Sequence, residues 1–182
     1  IGVEFASVFS SFGCKVTIVE ALERILPTMD REISQNLSMI LKKRGIEIHT
    51  GSMVEKIEQG ENGLVCCFTE KGKQQQVTAE QVLVAIGRRA NTQGLFGENF
   101  SVECERGRIV TDEQFKTSVD SIYAIGDVTA KIQLAHMASA QGICAVHTIA
   151  GKTPPIDLRT VPACIYTDPE IASVGITEEE AK

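Results

Sequence analysis

The sequence has no tryptophan and only two tyrosines among its 182 residues, so few aromatic side chains are available to stack on nucleic-acid bases. Basic residues are not concentrated either: the formal net charge is −6, and the longest basic run is Lys42-Lys43-Arg44. A protein that binds a phosphate backbone needs a basic face. We therefore expect that nucleic acid is not a partner.

Long apolar runs are missing as well, because uninterrupted stretches such as Val82 to Ile86 are far too short to span a bilayer. We expect no membrane association. With 43% hydrophobic and 23% charged residues, the composition is that of an ordinary globular protein. The sequence starts at Ile1 rather than at methionine, and its first residues read as the entry to a helix. We therefore expect that the native amino-terminus is absent.

None of the cysteines stands in a C-x-x-C or C-x-x-x-x-C pair, and their spacing fits neither a zinc site nor a small disulfide framework. We predict no metal site in this chain, and we interpret the thiols as reduced. The adjacent Cys66 and Cys67 would point to opposite faces of a strand. The six cysteines are Cys14, Cys66, Cys67, Cys104, Cys144 and Cys164.

The amino-terminal segment has the pattern of a parallel α/β unit. A helix is predicted over 3–12, where Phe5, Phe9 and Phe12 form one apolar stripe. A strand rich in β-branched residues follows at 15–20 and ends on an acid. The order helix then strand, repeated in the next segment, is typical of such a unit when its first strand is missing.

A second helix is predicted to begin after the N-cap Asp30 and to end at Arg44, with Gly45 as its carboxyl-terminal cap. A short strand at 46–49 completes the unit. Residues 53–78 have a different pattern, in which short segments are separated by glycine-containing turns. This pattern predicts a meander of antiparallel strands.

Further elements are predicted in the second half of the chain. Val82–Ile86 is apolar at every position, which favours a strand covered on both faces. Another short buried strand is predicted at Ile122–Ile125, and a long helix from Leu134 to Ala150. Pro154-Pro155 marks a linker or boundary.

Gly2 and Glu20 form part of a dinucleotide-binding pattern. Such a fold needs a glycine at the entry to its first helix and, about 20 residues on, an acid that binds the ribose hydroxyls. A carboxylate at Glu20 would repel a 2′-phosphate and so favours NAD over NADP. Arg24 could favour NADP by binding its 2′-phosphate, but a single nearby arginine is more often a solvated charge. Two of the three glycines of the pattern are not present, so an α/β domain without cofactor stays open on these residues alone.

Several segments, in order along the chain, resemble the pyridine nucleotide-disulfide oxidoreductase family. The start of the chain resembles the end of the family's G-x-G-x-I-G-x-E-x-A sequence. Residues 121–127, Ser-Ile-Tyr-Ala-Ile-Gly-Asp, resemble its second flavin-binding strand. The resemblance extends from Ile1 to Lys182. The other matching segments are Val84–Arg88 with Asn91, Gln133–His136 with Gln141 and Gly142, and Ile165–Gly175.

The resemblance implies an NAD site that includes Gly2, Glu4, Glu20 and Gly87. Gly2 would allow close packing of helix and strand near the pyrophosphate, and Glu20 would hold the adenosine ribose. Glu4 resembles an acid near the nicotinamide that pairs with a lysine of the flavin domain. An acid in a first helical turn also suits the helix dipole without any cofactor role. Gly87 would let the backbone approach the nicotinamide half.

The resemblance also implies an FAD site that includes Asp127, Leu134, Ala135 and His136. The Asp127 carboxylate would accept a hydrogen bond from the ribityl chain, although a lone Gly-Asp pair is also a common helix cap. The other three residues would turn free backbone N–H groups and the positive end of a helix dipole toward the pyrimidine edge of the flavin. Gly142, in the middle of that helix, suggests close packing.

The fold class implied is α/β. We predict a Rossmann-like NAD-binding domain with an antiparallel meander over 1–87, lacking its first strand. The carboxyl-terminal part of an FAD-binding domain is predicted over 88–153. The start of an α+β dimerisation domain is predicted over 154–182.

For the intact protein the resemblance implies FAD and NAD as cofactors, a homodimer, and reoxidation of dihydrolipoamide by NAD through FAD and a redox disulfide. The implied partner is the lipoyl domain of a 2-oxoacid dehydrogenase or glycine cleavage complex, and the implied location is cytoplasmic, or the mitochondrial matrix in a eukaryote. The redox cysteines and a His-Glu base are expected outside this chain, which alone is expected to be inactive. The alternatives are mercuric reductase, transhydrogenase or glutathione reductase, or a non-catalytic nucleotide-binding module.

Overall fold

The computed structural model describes every residue from Ile1 to Lys182. Its contacts divide the chain into two compact units, one formed by Ile1–Ile86 together with Cys164–Lys182 and the other by Gly87–Ala163. The predicted α/β class is confirmed by helices that alternate with a parallel strand pair and by separate antiparallel sheets. No helix has both the length and the apolar character that crossing a membrane requires.

The first unit opens with the predicted parallel arrangement. Helix α1 (Gly2–Ser11) leads into strand β1 (Thr17–Val19), and helix α2 (Arg31–Lys43) leads into strand β2 (Glu47–His49). The two strands pair in parallel. All four predicted elements are confirmed, and only their boundaries shift by a few residues.

Glycines close both helices, as the sequence predicted. Beyond α1, the N–H of Gly13 donates to the carbonyl of Ser10 and the N–H of Cys14 donates to that of Phe9, both at 3.0 Å. These paired bonds satisfy carbonyls that the helix end would leave without partners. Gly45 repeats the arrangement beyond α2.

The phenylalanine stripe of α1 is not the buried face of this helix. Phe5 and Phe9 stack on each other with ring centroids 6.0 Å apart, yet they remain 45% and 41% exposed, and Phe12 is more exposed still. The buried face carries the smaller Val3 and Ala6 instead. Periodicity identifies an apolar face, whereas close packing of a helix on strands selects small side chains.

The predicted antiparallel meander is confirmed. Strands β3 (Ser52–Gly60), β4 (Gly63–Glu70) and β5 (Lys73–Ala79) form one sheet with β4 in the centre. Phe68 of β4 is fully buried, and its ring lies 5.0 Å from that of His49. This contact packs the meander against the end of β2.

The prediction of a buried strand at Val82–Ile86 is wrong for this chain. The segment belongs to no sheet, and Val84 and Ile86 are 65% and 94% exposed. A strand is covered on both faces only when it lies inside a sheet. The parallel sheet here consists of β1 and β2 alone, so the apolar run finds no strand to pair with.

The second unit is built around one long helix. It contains a small hairpin of β6 (Cys104–Glu105) and β7 (Arg108–Ile109), followed by α3 (Ala135–Ile149), which confirms the predicted helix. Val102 and Ala124 bury their side chains next to the hairpin. The hairpin and the segment before α3 therefore share one small core.

The strand predicted at Ile122–Ile125 is also wrong as a strand. Only an isolated antiparallel bridge joins Tyr123 to Lys116, supported by a hydrogen bond of 2.9 Å from the N–H of Ala124 to the carbonyl of Phe115. Ala124 is nevertheless buried. An apolar run predicts burial, whereas a strand also needs a partner along its whole length.

The carboxyl-terminal elements are β8 (Ala163–Ile165), β9 (Ile171–Ser173), which pairs with β8, and the short helix α4 (Glu178–Ala181). Asp30 occupies the predicted N-cap position of α2, but its side chain does not cap that helix. Its carboxylate accepts a hydrogen bond of 2.7 Å from the backbone N–H of Glu178 instead. Asp30 thus fixes the first turn of α4.

Candidate functional site

Gly2 brings the entry of α1 close to the extended segment that follows the meander. It is the first residue of the helix, and a Cβ atom at this position would lie 3.4 Å from the Cβ of Ala85. That distance is at the short end of van der Waals contact. A Cβ at Gly2 would thus make an ordinary contact with an unpaired segment rather than with a strand, and the role of Gly2 stays a prediction.

Glu4 lies in the first turn of α1 and is half-buried. Its carboxylate accepts a hydrogen bond of 2.9 Å from the backbone N–H of Tyr166 and lies 2.9 Å from the ammonium of Ile1. Burial raises the pKa of Glu4, but these two hydrogen bonds and the ammonium charge outweigh burial and leave the pKa below its usual value. Within the fold, Glu4 is thus held by the backbone N–H of Tyr166.

Glu20 directly follows β1, at the carboxyl end of the parallel strand pair. Its N–H donates to the carbonyl of His49 at 2.8 Å, and its own carbonyl accepts from the N–H of Ser52 at 2.9 Å. One carboxylate oxygen, Oε1, accepts from the N–H of Leu22 at 2.9 Å, and no protein donor reaches Oε2. In open α/β sheets this edge is where ligands bind. The free oxygen can accept a hydrogen bond from a ligand hydroxyl.

Arg24 is not the solvated charge that the sequence suggested. Its guanidinium donates to both carboxylate oxygens of Glu179, at 2.9 and 2.6 Å. It also donates to the carbonyls of Pro27 at 3.1 Å and Met29 at 3.4 Å, and it is 25% exposed. A planar guanidinium suits such a bidentate carboxylate contact. Arg24 is therefore occupied by protein groups.

Gly87 and Arg88 begin the second unit. Gly87 has a φ of 112°, which side chains rarely tolerate, and no atom lies within 4 Å of where its Cβ would be. The Arg88 guanidinium donates to the carbonyl of Gln133 at 2.6 Å and lies 3.5 Å from the carboxylate of Asp127. Arg88 thus links the candidate flavin carboxylate to the chain that enters α3.

Asp127 lies in a single 3₁₀ turn, Gly126–Thr129, directly before the loop to α3. Gly126 has a φ of 72°, and a Cβ there would come 2.9 Å from the Cβ of Ala138 in α3. Only glycine fits so close to the helix. The Asp127 carboxylate remains about half exposed beside Arg88, where it can accept a hydrogen bond from a ligand.

The amino end of α3 carries Leu134, Ala135 and His136. Leu134 is the N-cap residue in an extended conformation, and no side chain caps the helix. The first backbone N–H groups of the helix therefore stay available for a ligand, at the positive end of its dipole. His136 points elsewhere: its Nε2 lies 2.6 Å from the carbonyl of Pro162, which agrees with a positional rather than an acid-base role.

Gln141 is a supporting residue whose role the sequence did not reveal. Its side chain is buried, and its Oε1 accepts a hydrogen bond of 2.7 Å from the N–H of Gly126. The neighbouring Gly142 is close-packed as predicted, because a Cβ there would come 3.2 Å from Cδ1 of Ile125. Helix α3 therefore holds the Gly126-Asp127 turn by the hydrogen bond from Gly126 to Gln141 and by the contact of Gly142 with Ile125. The sequence signals were its place in a segment that resembles the family and its polarity inside an apolar helix.

The fold is that of an α/β protein of the Rossmann-like, nucleotide-binding class. The model of the pyridine nucleotide-disulphide oxidoreductase family matches residues 1–142, and the model of that family's dimerisation domain matches residues 161–182. The chain belongs to the pyridine nucleotide-disulphide oxidoreductase family.

Curated relatives match along the whole chain. A dihydrolipoyl dehydrogenase of Bacillus subtilis is 45% identical, with 100% of this chain and 39% of the relative covered. A dihydrolipoyl dehydrogenase of Rhizobium etli is 42% identical, with 100% of this chain and 38% of the relative covered. The chain thus spans about two fifths of the length of these relatives.

Solved structures give the same result for the fold. LpdA from Mycobacterium tuberculosis superposes with a TM-score of 0.86 at 29% identity, over 98% of this chain and 39% of that one. The flavoprotein disulfide reductase RclA from Escherichia coli, described as induced by HOCl, superposes with a TM-score of 0.82 at 37% identity, over 99% of this chain and 41% of that one.

Proposed function

We propose that this chain is part of an NAD-dependent dihydrolipoyl dehydrogenase. The observation that carries the proposal is the identity of 45% along the entire chain to a dihydrolipoyl dehydrogenase. In the proposed reaction, dihydrolipoamide loses two electrons and two protons and forms the S–S bond of lipoamide. NAD⁺ takes up a hydride as NADH, and one proton is released.

In this proposal the first unit supplies Gly2, Glu4 and Glu20 of the NAD site, and Gly87 directly follows that unit in the sequence. The free Oε2 of Glu20 accepts a hydrogen bond from an adenosine ribose hydroxyl, and its charge disfavours a 2′-phosphate. Gly2 lets the entry of α1 approach the segment at Ala85, next to the proposed position of the pyrophosphate. Glu4 and Gly87 belong to the nicotinamide half, where Gly87 keeps the backbone free of a side chain.

The second unit supplies part of an FAD site. The bound flavin provides the two-electron relay between the dithiol and the nicotinamide. Asp127, half exposed in its 3₁₀ turn, accepts a hydrogen bond from the ribityl chain. Backbone N–H groups at Leu134, Ala135 and His136 face the pyrimidine edge, where the helix dipole stabilises negative charge. The uncapped end of α3 and the glycine that fits against Ala138 suit this group.

The remaining chemistry lies outside this chain in the proposal. The redox cysteine pair and the His-Glu base belong to other parts of the intact protein, which works as a homodimer in the cytoplasm, or in the mitochondrial matrix of a eukaryote. Its partner is the lipoyl domain of a 2-oxoacid dehydrogenase or glycine cleavage complex. The match of residues 161–182 to a dimerisation domain supports the homodimer.

The full-length protein tests the proposal directly. We expect it to purify with a flavin absorbance spectrum and to reduce NAD⁺ with dihydrolipoamide far faster than with reduced glutathione. Measuring NADH formation with each thiol, and mercuric-ion reduction in a parallel assay, separates the family members. A protein that turns over glutathione or mercuric ion in preference to lipoamide would contradict the proposal.

A further inference from the structure

Arg24 and Glu179 form a bidentate ion pair between residues 155 positions apart in the sequence. Nη1 and Nη2 of Arg24 reach the two carboxylate oxygens at 2.9 and 2.6 Å. Both terminal nitrogens of the guanidinium are thus committed to one acid. The remaining bonds of Nη2 go to carbonyls of the same loop, at Pro27 and Met29.

The position of Arg24 gives this pair a consequence for nucleotide choice. The arginine lies in the loop just after Glu20, which directly follows β1. An arginine close to that acid accommodates the 2′-phosphate of NADP in dinucleotide-binding folds. Phosphate and carboxylate compete for the same planar fork of donors. A guanidinium already held by Glu179 is not available to a phosphate.

Glu179 is itself held in place. Its helix α4 begins with a capping box between Thr177 and Glu180. The backbone N–H of Glu178 is fixed by the carboxylate of Asp30 at 2.7 Å. The hydrogen bonds from Arg24 lower the pKa of Glu179, so its carboxylate stays ionised near neutral pH. A fixed, ionised acid keeps the arginine engaged without a nucleotide present.

We infer that Glu179 is a positioning residue for nucleotide specificity, which holds Arg24 away from a 2′-phosphate and thereby strengthens the preference for NAD over NADP. The inference rests on the proposed NAD site at Glu20. Discrimination then has two sources: Glu20 repels the 2′-phosphate, and Glu179 removes the cation that would attract it. Arg24, four residues after Glu20 in the sequence, would then be a latent phosphate ligand.

The test is the variant Glu179→Gln in the full-length flavoprotein. Lipoamide reduction is measured with NADH and with NADPH, and inhibition of the NADH reaction is measured with 5′-AMP and with adenosine 2′,5′-bisphosphate. We expect the inhibition constant of the bisphosphate and the KM for NADPH to fall about tenfold, the size of one charge-assisted hydrogen bond. Values for 5′-AMP and NADH, and kcat, should change little, because the contact is remote from the reacting atoms.

Two control variants separate this effect from a change in net charge. Glu178→Gln removes the neighbouring acid, whose side chain pairs with Lys182 instead, and should leave all constants unchanged. The double variant Glu179→Gln with Arg24→Gln should lose the gain for the bisphosphate. If Glu179→Gln impairs folding, Glu179→Asp shortens the acid, and a smaller gain in the same direction is expected.

The outcomes distinguish the inference from the proposed function. A folded Glu179→Gln or Glu179→Asp protein with an unchanged preference would overturn the inference, and so would an equal gain in Glu178→Gln. If the unaltered protein binds neither 5′-AMP nor NADH, the proposed NAD site is wrong. If it binds both and only the selectivity is insensitive to Glu179, the NAD site stands without this positioning role.

Discussion

At the scale of single residues, Glu20 determines the proposed nucleotide preference. We expect Glu20→Ala to narrow the ratio of kcat/KM for NADH over NADPH by about tenfold, because one charge-assisted hydrogen bond to ribose is lost. Glu20→Gln is the matched control, since its amide oxygen can still accept from the N–H of Leu22 while the charge is removed. Steady-state kinetics with both nucleotides measures the ratio. An unchanged ratio in both variants would remove Glu20 from the binding site.

Gln141 has a distinct effect, because it acts on the flavin site through Gly126. In Gln141→Leu the buried N–H of Gly126 loses its acceptor, which costs about 1–3 kcal/mol. We expect a lower unfolding midpoint and faster flavin release. Flavin fluorescence, recorded while the full-length protein is heated, measures both. Thr129→Val is the control: its hydroxyl donates to the carbonyl of Gly126, so its loss leaves no N–H without a partner. Equal effects of the two variants would contradict the assigned role.

The residues of the candidate site differ in how far the sequence could predict them. Close packing at Gly142 could be predicted from the residue pattern, because a glycine in the middle of a helix suggests a close approach, and a Cβ there would come 3.2 Å from Cδ1 of Ile125. The bond between Gln141 and Gly126 could not be predicted, since it joins residues 15 positions apart through a single geometry. The ion pair of Arg24 with Glu179 could not be predicted either, because it depends on α4 lying next to the loop that carries Arg24.

At the scale of elements, we expect opposite effects on stability from alanine substitution at two glycines. Gly126 faces α3, and Gly142 lies in α3 and faces Ile125 of the preceding segment. Gly126→Ala would place a Cβ 2.9 Å from the Cβ of Ala138 at a φ of 72°, which we expect to cost about 1–3 kcal/mol. Gly142→Ala would place one 3.2 Å from the flexible end of the half-exposed Ile125. Because alanine favours a helix interior by about 1 kcal/mol, we expect that variant to be neutral or slightly stabilising.

Thermal unfolding of the two full-length variants measures the contrast. The Gly126→Ala protein should unfold at a lower temperature than the unaltered protein, and Gly142→Ala should not. If Gly142→Ala proved as damaging as Gly126→Ala, the side chain of Ile125 would be far less able to move than its exposure indicates. The packing of α3 against the segment before the Gly126-Asp127 turn would then be too tight to admit a methyl group at Gly142.

Helices and hairpins were predicted better than isolated strands, for a physical reason. The helices α2 and α3 and the meander carry their hydrogen-bond partners within a short stretch of chain. Val82–Ile86 and Ile122–Ile125 are apolar but depend on strands elsewhere for pairing. The composition of such a segment predicts that it is apolar enough to be buried. Its strand hydrogen bonds depend on partner strands that the local sequence does not specify.

At the scale of the whole molecule, we predict that the thiol chemistry of the proposed reaction lies outside this chain. All six cysteines are unpaired. Cys66 and Cys67 are adjacent in β4 and project to opposite faces. Burial, together with the neighbouring Cys67, raises the pKa of the Cys66 thiol, so little of it is thiolate at neutral pH. We therefore expect no pair of these cysteines to cycle between dithiol and disulfide as the proposed reaction requires.

We therefore expect the 182-residue chain alone to show no lipoamide-dependent oxidation of NADH, even with added FAD. The measurement is the loss of NADH absorbance with and without lipoamide, beside the full-length protein at equal concentration as the active control. A variant with both Cys66→Ala and Cys67→Ala identifies the source of any residual rate. Lipoamide-dependent turnover that this double variant abolishes would contradict the placement of the redox cysteines outside the chain. Turnover that persists in it would come from another group, such as one of the four remaining cysteines or bound flavin acting without a disulfide.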